Sequence, residues 1–332
     1  MTSEPERPGE FELIARHFAP IAGRDGLGLL DDAALLRPAR GYELVVTADA
    51  LVAGVHFFPD DPAGSIARKA LAVNLSDLAA KGARPDGFVL TMALPKGWTE
   101  DWLADFAAGL AGLASETGCP LIGGDTVSTT GPLTLSITAF GSVPAGRMVL
   151  RSGAKPGDLV LVSGTIGDGA LGLRAHGPGR PEWVGRLSEA DRAFLADRYL
   201  HPRPRLALAP ALQAHATAAM DISDGLVGDL GKLLAASRAG AEIALEAVPL
   251  SPAARNAVMA DPALAELAWT GGDDYEILCT ATEREFSSLT AAAEAAGLGF
   301  ACIGRVTAEA GTVRYSEAGR PRSFARGSFV HF

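Results

Sequence analysis

The chain has 332 residues, of which 48% are hydrophobic and 6% aromatic, and its formal net charge is −10. This length suffices for two domains with a core each, and the composition is typical of a globular α/β protein rather than a disordered or fibrous one. The acidic charge argues against binding to nucleic acid or to an anionic membrane surface, and no apolar run reaches the roughly 20 residues that span a bilayer.

The first half of the chain alternates strand-like and helical patterns. We expect residues 1–10 to be a disordered leader and residues 11–150 to form an N-terminal α/β domain. Leu71, Leu75 and Leu78 recur at helical spacing. The elements predicted in chain order are a strand from residue 42, a helix over 65–82, a strand over 87–94, a helix over 99–117, a strand over 119–124 and a long alternating segment over 132–143.

The second half repeats this alternation after a basic, turn-rich segment, 147–158, that predicts a linker. We place a C-terminal α/β domain at 151–332. Residues 176–186 contain turn-forming residues without a period, which predicts a surface loop. The predicted elements are a strand over 158–164, helices over 188–200 and 204–214, a strand ending at Asp221, a helix from Gly225, and strands over 241–246, 275–281 and 300–306.

Three cysteines, Cys119, Cys279 and Cys302, are widely spaced in apolar surroundings. An odd number at such spacing favours buried, reduced thiols over disulfides or a zinc site. The N-terminus also lacks the basic start and apolar core of a signal peptide. Together these features predict a cytoplasmic location.

The sequence GDGALG allows two interpretations. Gly167, Gly169 and Gly172 satisfy G-x-G-x-x-G after a predicted strand, which is typical of dinucleotide binding but also of tight packing between a strand and a helix. Dinucleotide binding also needs a following strand that ends in an acidic residue about 20 positions on. The loop predicted at 176–186 takes that place, so packing is favoured. The sequence contains no Walker loop, G-x-S-x-G, H-E-x-x-H or C-x-x-C.

Aspartates recur at the ends of apolar or strand-like runs. Each one alone has an ordinary explanation as a helix cap or turn residue, and a solvent-facing stripe would explain Asp77. Carboxylates that converge from several elements, however, repel one another unless cations neutralise them, and oxygen ligands suit Mg²⁺. The pattern therefore indicates several Mg²⁺ ions around a polyphosphate. The aspartates are Asp31, Asp32, Asp49, Asp77, Asp125, Asp221, Asp224, Asp273 and Asp274.

Several sequence blocks in this order resemble the thiamine-monophosphate kinases, within the superfamily of aminoimidazole-ribotide-synthetase-like ATP-dependent enzymes. The blocks are DDAA (31–34), DALVAGVHF (49–57), KALAVNLSDLAAKGA (69–83), LIGGDT (121–126), RSGAKPGD (151–158), PRPR (202–205), DISDGLVGDL (221–230) and GGDDYEI (271–277). The resemblance implies a two-domain α/β (α+β) fold whose N-terminal sheets pair into a dimer barrel. It also implies that ATP, bound with several Mg²⁺ ions between the domains, phosphorylates thiamine monophosphate to the diphosphate.

The resemblance also assigns roles to individual residues. The implied metal ligands are Asp32, Thr47, Asp49, Asp77, Asp125, Asp221 and Asp224. The implied ATP contacts are Gly124, Asp125, Arg151 and Ser223, and the implied substrate contacts are His56, Asp273 and Phe329. No general base is assigned, because a phosphate monoester is already largely ionised near neutral pH, with a second pKa of about 6.

Three positions depart from the family pattern. Leu30 stands where a glycine usually precedes the two aspartates, and Ala48 replaces a hydroxyl residue. Asp273 is one methylene shorter than the usual Glu, so its carboxylate extends less far from the backbone. Within DISDGLVGDL, we expect Ser223 or Asp224 to cap the following helix, and we give Asp229 no functional role.

Two alternative functions remain open. One is another enzyme of the superfamily, such as selenophosphate synthetase, a formylglycinamidine-ribotide cyclo-ligase or the hydrogenase-maturation carbamoyl dehydratase. The synthetase needs a reactive cysteine or selenocysteine in an N-terminal loop and the dehydratase needs a C-terminal cysteine, yet this chain has no cysteine before Cys119 and ends in FVHF. The other is a non-catalytic nucleotide- and metal-binding homologue, although such a protein would be expected to lose the matched aspartates first.

Overall fold

The structure is a computed structural model that describes residues 9–325, 327 and 328. It contains two compact units. An N-terminal unit comprises the chain up to Asn74 together with Pro85–Ser142, and a C-terminal unit comprises Leu75–Arg84 and the chain from Val143 onward. In the described part of the chain, no helix is both long and apolar enough to cross a membrane.

Helices and strands alternate along most of the chain. The helices are α1 (Glu10–Leu13), α2 (Ala63–Ala80), α3 (Glu100–Thr117), α4 (Asp168–His176), α5 (Glu189–Leu200), α6 (Ala209–His215), α7 (Leu226–Ser237), α8 (Pro252–Ala260), α9 (Leu264–Thr270) and α10 (Glu283–Ala295). The strands are β1 (Tyr42–Val52), β2 (Arg84–Pro95), β3 (Leu121–Thr129), β4 (Thr134–Pro144), β5 (Leu159–Ser163), β6 (Ala218–Asp221), β7 (Gly240–Ala244), β8 (Ile277–Ala281), β9 (Phe300–Thr307), β10 (Val313–Glu317) and β11 (Arg320–Arg322).

A four-stranded sheet with the order β1-β4-β2-β3 forms the centre of the N-terminal unit. Strands β2 and β3 run parallel, with Thr91 opposite Asp125. The helical prediction over 99–117 is confirmed, because the Thr99 hydroxyl accepts a hydrogen bond from the Trp102 amide and so caps α3. The next turns of α3 bury Leu103 and Phe106, which recur at helical spacing and face the core.

A seven-stranded sheet with the order β11-β10-β7-β9-β5-β8-β6 forms the centre of the C-terminal unit. Every residue of β5 is buried, which explains its continuous apolar sequence LVLVS, since both faces of this central strand are covered. β5 runs antiparallel to both β8 and β9. Strand β6 lies at one edge of the sheet and ends at Asp221, so its carboxyl end leads into the turn that precedes α7.

The grouping of residues differs from the boundary predicted at 150. The last turns of α2 belong to the C-terminal unit, because Ala79 and Ala80 are buried in one apolar cluster with Leu208 and Leu212 of the second half. Val149 belongs to the same cluster. The predicted leader, 1–10, lies outside the described residues except for Gly9 and Glu10.

The predictions for residues 176–186 and for Cys302 are wrong. Residues 176–186 are not wholly a surface loop, because the segment Glu182–Arg186 forms a 3₁₀ turn that buries Trp183 and Val184 against α5 and α8 residues. Cys302 is exposed, since it lies in β9 at a position whose side chain points away from the core. Cys119 and Cys279 are buried and reduced as predicted.

Candidate functional site

A cavity of about 250 Å³ lies within the N-terminal unit, where the loop before β1 packs against β3. It brings together two predicted metal ligands, Asp32 and Asp125, and the predicted ATP contact Gly124. Asp31 lines the same cavity, and its carboxylate accepts a hydrogen bond of 2.8 Å from the Asp32 amide. The apolar part of the lining is Ile14, Phe18, Leu29, Ala33, Ala34, Leu90, Leu121 and Ile122. An acidic rim beside an apolar wall suits a ligand with one charged and one apolar part.

Gly124 is required by a close approach between two strands. A Cβ atom at this position would lie 1.9 Å from the carbonyl oxygen of Leu90 on β2, so only glycine fits. Leu90 and Gly124 are partners in the parallel register, and Asp125 follows directly. The strand pairing therefore fixes the position of the predicted metal ligand.

The departure at Leu30 has no conformational cost in this loop. Leu30 has φ −107° and ψ −4°, which any residue adopts. The left-handed conformations fall instead on Leu27 (φ 51°), Gly28 (φ 71°) and Leu29 (φ 56°). The side chain of Leu30 is 93% exposed, so the replaced glycine is not needed for packing either.

Thr47 and Asp49 occupy alternate positions of β1 and therefore share one face of the sheet with the buried Val45 and Leu51. Both are partly buried, whereas Ala48, between them, is exposed on the other face. Because β4 and β2 lie between β1 and β3, Asp49 stands three strand spacings, about 14 Å along the sheet, from the strand that carries Asp125. The N-terminal unit of one chain therefore does not bring these two aspartates together.

His56 is held by the turn that follows β1. Its Nδ1 atom accepts a hydrogen bond of 2.9 Å from the Val52 amide, so the ring proton lies on Nε2. The amide of Gly54 donates to the carbonyl oxygen of Phe57 and closes the same turn. The partly buried His56 thus has a fixed ring orientation and a donor on Nε2.

A second group of predicted residues surrounds Lys81 within the C-terminal unit. Burial and the nearby Arg151 lower the pKa of Lys81 to about 8, while Asp221 and Asp77 act in the opposite direction. Its ammonium group donates to the Ala219 carbonyl oxygen at 2.6 Å. The structure thereby places two predicted metal ligands and the predicted ATP contact Arg151 around one lysine.

Sequence reasoning missed both Lys81 and Ser76 in this group. The buried Ser76 hydroxyl donates to an Asp221 carboxylate oxygen at 2.7 Å and so fixes that side chain. The position of Lys81, four residues after Asp77 on one helical face, was a signal that it would lie near that carboxylate. Nothing in the sequence indicated that Ser76 faces Asp221, because the two residues are 145 positions apart.

The turn between β6 and α7 is organised by Asp229. This aspartate is fully buried, and one of its carboxylate oxygens accepts hydrogen bonds of 3.0 Å from the amides of both Ser223 and Asp224. The N-cap residue of α7 is Gly225 (φ 115°), without a side-chain cap. The prediction that Ser223 or Asp224 caps the helix is therefore wrong, because the amides before the helix are satisfied by a carboxylate from its first turns.

The segment GGDDYE meets this turn through backbone hydrogen bonds. The Asp273 amide donates to the Ser223 carbonyl oxygen at 2.9 Å, and the Tyr275 amide donates to that of Ile222 at 2.8 Å. Asp273 and Tyr275 both have left-handed backbone conformations, with φ of 71° and 52°. The structure thus places the predicted substrate contact Asp273 beside the predicted ATP contact Ser223.

The glycine motif GDGALG binds a carboxylate of the chain itself. The amides of Gly167 and Gly169 donate to the buried Asp274 carboxylate at 2.7 and 3.0 Å. Burial raises the pKa of Asp274 well above its ordinary value, although these two hydrogen bonds act against the increase. A Cβ atom at Gly169 would lie 2.1 Å from the Asp273 carbonyl oxygen. The motif therefore serves packing, and its amides are not available to a dinucleotide.

Buried ion pairs hold Glu276, the last residue of the segment GGDDYE. Glu276 has no exposed surface, and its carboxylate pairs with Arg198 at 3.1 Å and with the Arg205 Nε at 2.7 Å. The Ser163 hydroxyl donates to it at 2.6 Å. Arg205 belongs to the PRPR block, whose function was not apparent from the sequence. Its structural role is to neutralise the buried carboxylate of Glu276, three residues after Asp273.

The donor set is compatible with Mg²⁺ in its chemistry. In the part of the chain that the structure describes, no three His, Cys, Asp or Glu side chains form a metal-binding group. Magnesium, however, takes one or two carboxylates and completes its shell with water and phosphate oxygens, and the predicted ligands are all oxygen donors. The Oδ1 atom of Asn74, three residues before Asp77 on α2, is buried without a hydrogen-bond partner, so an additional oxygen donor is available there. Phe329 lies outside the described residues.

Comparison with known proteins identifies the family. A family model described as AIR synthase related protein, N-terminal domain, matches residues 30–143, and the corresponding C-terminal domain model matches residues 155–316. Thiamine-monophosphate kinase from Caulobacter vibrioides is 44% identical over 330 residues, which cover 98% of this chain and 91% of the relative. The chain belongs to the thiamine-monophosphate kinase family.

Solved structures of thiamine-monophosphate kinases share the fold over nearly the whole chain. The enzyme from Stenotrophomonas maltophilia K279a is 42% identical with a TM-score of 0.83, covering 95% of this chain and 98% of its own. AaThiL complexed with AMPPCP and TMP is 29% identical with a TM-score of 0.78, covering 99% of this chain and 100% of its own. The resemblance and the two-domain α/β fold expected from the sequence are confirmed.

Proposed function

We propose that this chain transfers the γ-phosphoryl group of ATP to thiamine monophosphate, giving thiamine diphosphate and ADP. The observation that carries the proposal is the likeness of this chain to a thiamine-monophosphate kinase over 98% of its residues. A solved relative is described as complexed with AMPPCP, an ATP analogue, and with TMP. The cavity that joins Asp32, Gly124 and Asp125 supports the proposal, because it combines acidic oxygens with an apolar wall.

The proposed metal ligands are the seven residues implied by the family resemblance. They are Asp32, Thr47, Asp49, Asp77, Asp125, Asp221 and Asp224. When bound, Mg²⁺ ions would supply positive charge between two phosphate groups that otherwise repel each other as they approach. The all-oxygen donor set and the unpartnered Asn74 oxygen support this assignment.

The remaining proposed contacts orient the two phosphates. Arg151 offers a planar fork of donors to ATP phosphate oxygens, and Gly124 and Ser223 complete the ATP contacts. His56 and Asp273 contact thiamine monophosphate, with Phe329 as a third contact. Because the acceptor phosphate is already ionised, no side chain has to remove a proton, and positioning together with electrostatics accounts for catalysis.

We further propose that a second copy of the chain completes the N-terminal sheet into a dimer barrel. Strands β1 and β3 are the two edges of this sheet. Four exposed apolar side chains support the proposal: Tyr42, Leu44 and Val46 on β1, and Val127 on β3. Exposed edges of this kind favour pairing with another strand. Light scattering should give twice the chain mass for the wild type and a monomer for Val46→Lys, and a monomeric wild type would refute the dimer.

The activity is tested by offering several acceptors with ATP and Mg²⁺. Chromatography should detect thiamine diphosphate from thiamine monophosphate, and no product from free thiamine or from aminoimidazole-pathway substrates. A product from the latter would favour another enzyme of the superfamily. Nucleotide binding without any product would favour the non-catalytic homologue.

A further inference from the structure

Lys232, in the middle of α7, lies between the carboxylates of Asp224, which precedes the helix, and Asp229, which is in its first turn. Its Nζ atom donates to an Asp224 oxygen at 2.5 Å and to an Asp229 oxygen at 2.8 Å. The side chains of Lys232 and Asp224 are 41% and 36% exposed, whereas that of Asp229 is fully buried. Lys232 therefore connects an inaccessible carboxylate to one that faces solvent.

Asp229 can act as a fixed anchor for this lysine. Its second oxygen already accepts the amides of Ser223 and Asp224, so the carboxylate cannot turn without breaking both of these hydrogen bonds. Lys232 follows Asp229 by three positions on the same helical face, which keeps the ammonium group beside it. The cation is thus held against Asp224 by a rigid part of the helix rather than by a chance surface contact.

We propose that Lys232 is a positioning residue that acts as an internal counter-cation for Asp224, and that a divalent metal ion must displace it to bind there. This inference depends on the proposed function in one respect, namely that Asp224 is a metal ligand. Lys232 neutralises Asp224 while the metal is absent and limits the repulsion between Asp224 and the adjacent Asp229. The same positive charge repels an incoming cation and raises the metal concentration at which the site fills.

Direct measurement of metal binding tests this competition. Mn²⁺ serves as the probe, and free Mn²⁺ is followed by electron paramagnetic resonance during titration of the full chain without nucleotide. Lys232→Met should tighten Mn²⁺ binding by about two- to five-fold, as expected for the loss of a partly exposed ion pair. Lys232→Arg, which keeps the charge, should retain the wild-type affinity.

Two further comparisons isolate the Asp224 site. In an Asp224→Asn background, Lys232→Met should have no effect on Mn²⁺ affinity, because the ion pair is already absent. Lys155→Met removes the same charge from an exposed side chain of the same unit and should leave the affinity unchanged. A Lys232→Met effect that persists in Asp224→Asn would refute the pairing with Asp224.

Mn²⁺ binding and thiamine diphosphate formation are measured separately, so the role of Lys232 and the proposed kinase activity can fail independently. Unchanged or weaker Mn²⁺ binding in Lys232→Met would overturn the inference, and so would a wild type that binds no Mn²⁺. If Lys232→Met binds Mn²⁺ more tightly but the wild type makes no thiamine diphosphate, the inference stands and the proposed kinase activity fails. Circular dichroism of each variant confirms that the comparison is made between folded proteins.

Discussion

Single residues next to the proposed metal ligands determine the geometry of those ligands. Asp229, to which the sequence assigned no role, holds the amides of Ser223 and Asp224 in place. Gly124 has a comparable effect in the other unit, because its missing side chain lets β3 approach the Leu90 carbonyl oxygen and present Asp125. The positions of Asp224 and Asp125 therefore depend on residues that lie close to them in the sequence.

Gly124→Ala should reduce both stability and nucleotide binding. The new Cβ atom would lie 1.9 Å from the Leu90 carbonyl oxygen, so the strands must separate. We expect a loss of about 1–3 kcal/mol in the free energy of unfolding, the range for overpacking. Urea unfolding and AMPPCP titration measure the two effects. Gly97→Ala is the control, since nothing lies within 4 Å of the methyl group that it would add, and equal stability of the two variants would contradict the account.

At the scale of elements, the site in the C-terminal unit is built by two loops that support each other. The turn after β6 and the segment before β8 exchange backbone hydrogen bonds, and the left-handed residues Asp273 and Tyr275 lie in that segment. Buried Asp274 fixes the segment to the start of α4, and buried Glu276 fixes it to Arg198 of α5 and to Arg205 of the PRPR block. The loops are thus held in place by the hydrogen bonds and ion pairs of two buried carboxyl groups.

Glu276→Gln tests whether the buried ion pairs of Glu276 stabilise the fold. The substitution removes the charge that neutralises Arg198, which is 3% exposed, and Arg205. Breaking such a buried pair costs about 3–5 kcal/mol, because it leaves a buried charge uncompensated. Urea unfolding measures the loss. The surface pair of Glu116 with Arg68 is the matched case, and Glu116→Gln should cost about 1 kcal/mol or less. If Glu276→Gln lost no more free energy of unfolding than Glu116→Gln, the buried ion pair would not be needed for stability.

Lys81, the residue that follows α2, makes the free energy of unfolding depend on pH. Burial and Arg151 lower its pKa from 10.5 to about 8, so between these pH values the unfolded chain binds more protons than the folded one. The free energy of unfolding therefore rises with pH across this window, by on the order of 3 kcal/mol from this residue. Metal-free wild type should gain stability relative to Lys81→Met between pH 8 and 10. A difference that stays constant or shrinks would contradict the lowered pKa.

At the scale of the whole molecule, the sequence predicted the class of fold and most of the elements around the site. Periodicity located α2, α3 and the strands of the N-terminal sheet, and the ordered sequence blocks identified the family. The helices α8 to α10 and the strands β10 and β11 were not predicted, because their short or alanine-rich sequences lack a clear pattern. The partners of Asp221, Asp274 and Glu276 were also missed, since contacts between distant positions leave no local signal.

The roles of the site residues stay predictions that depend on assembly as well as sequence. Asp49 and Asp125 occupy opposite edges of one sheet, which no local pattern could indicate. The cytoplasmic location, the number of Mg²⁺ ions and the dimer are likewise expectations from sequence and family.

Phosphorus NMR of one reaction mixture follows the proposed transfer of the γ-phosphoryl group from ATP to thiamine monophosphate. With ATP, Mg²⁺ and thiamine monophosphate, we expect the monophosphate signal to decrease while the two signals of a diphosphate ester appear in equal amount to ADP. This result requires transfer of the γ-phosphoryl group to the acceptor phosphate. ADP formed together with inorganic phosphate alone, or an unchanged thiamine monophosphate signal, would contradict the account.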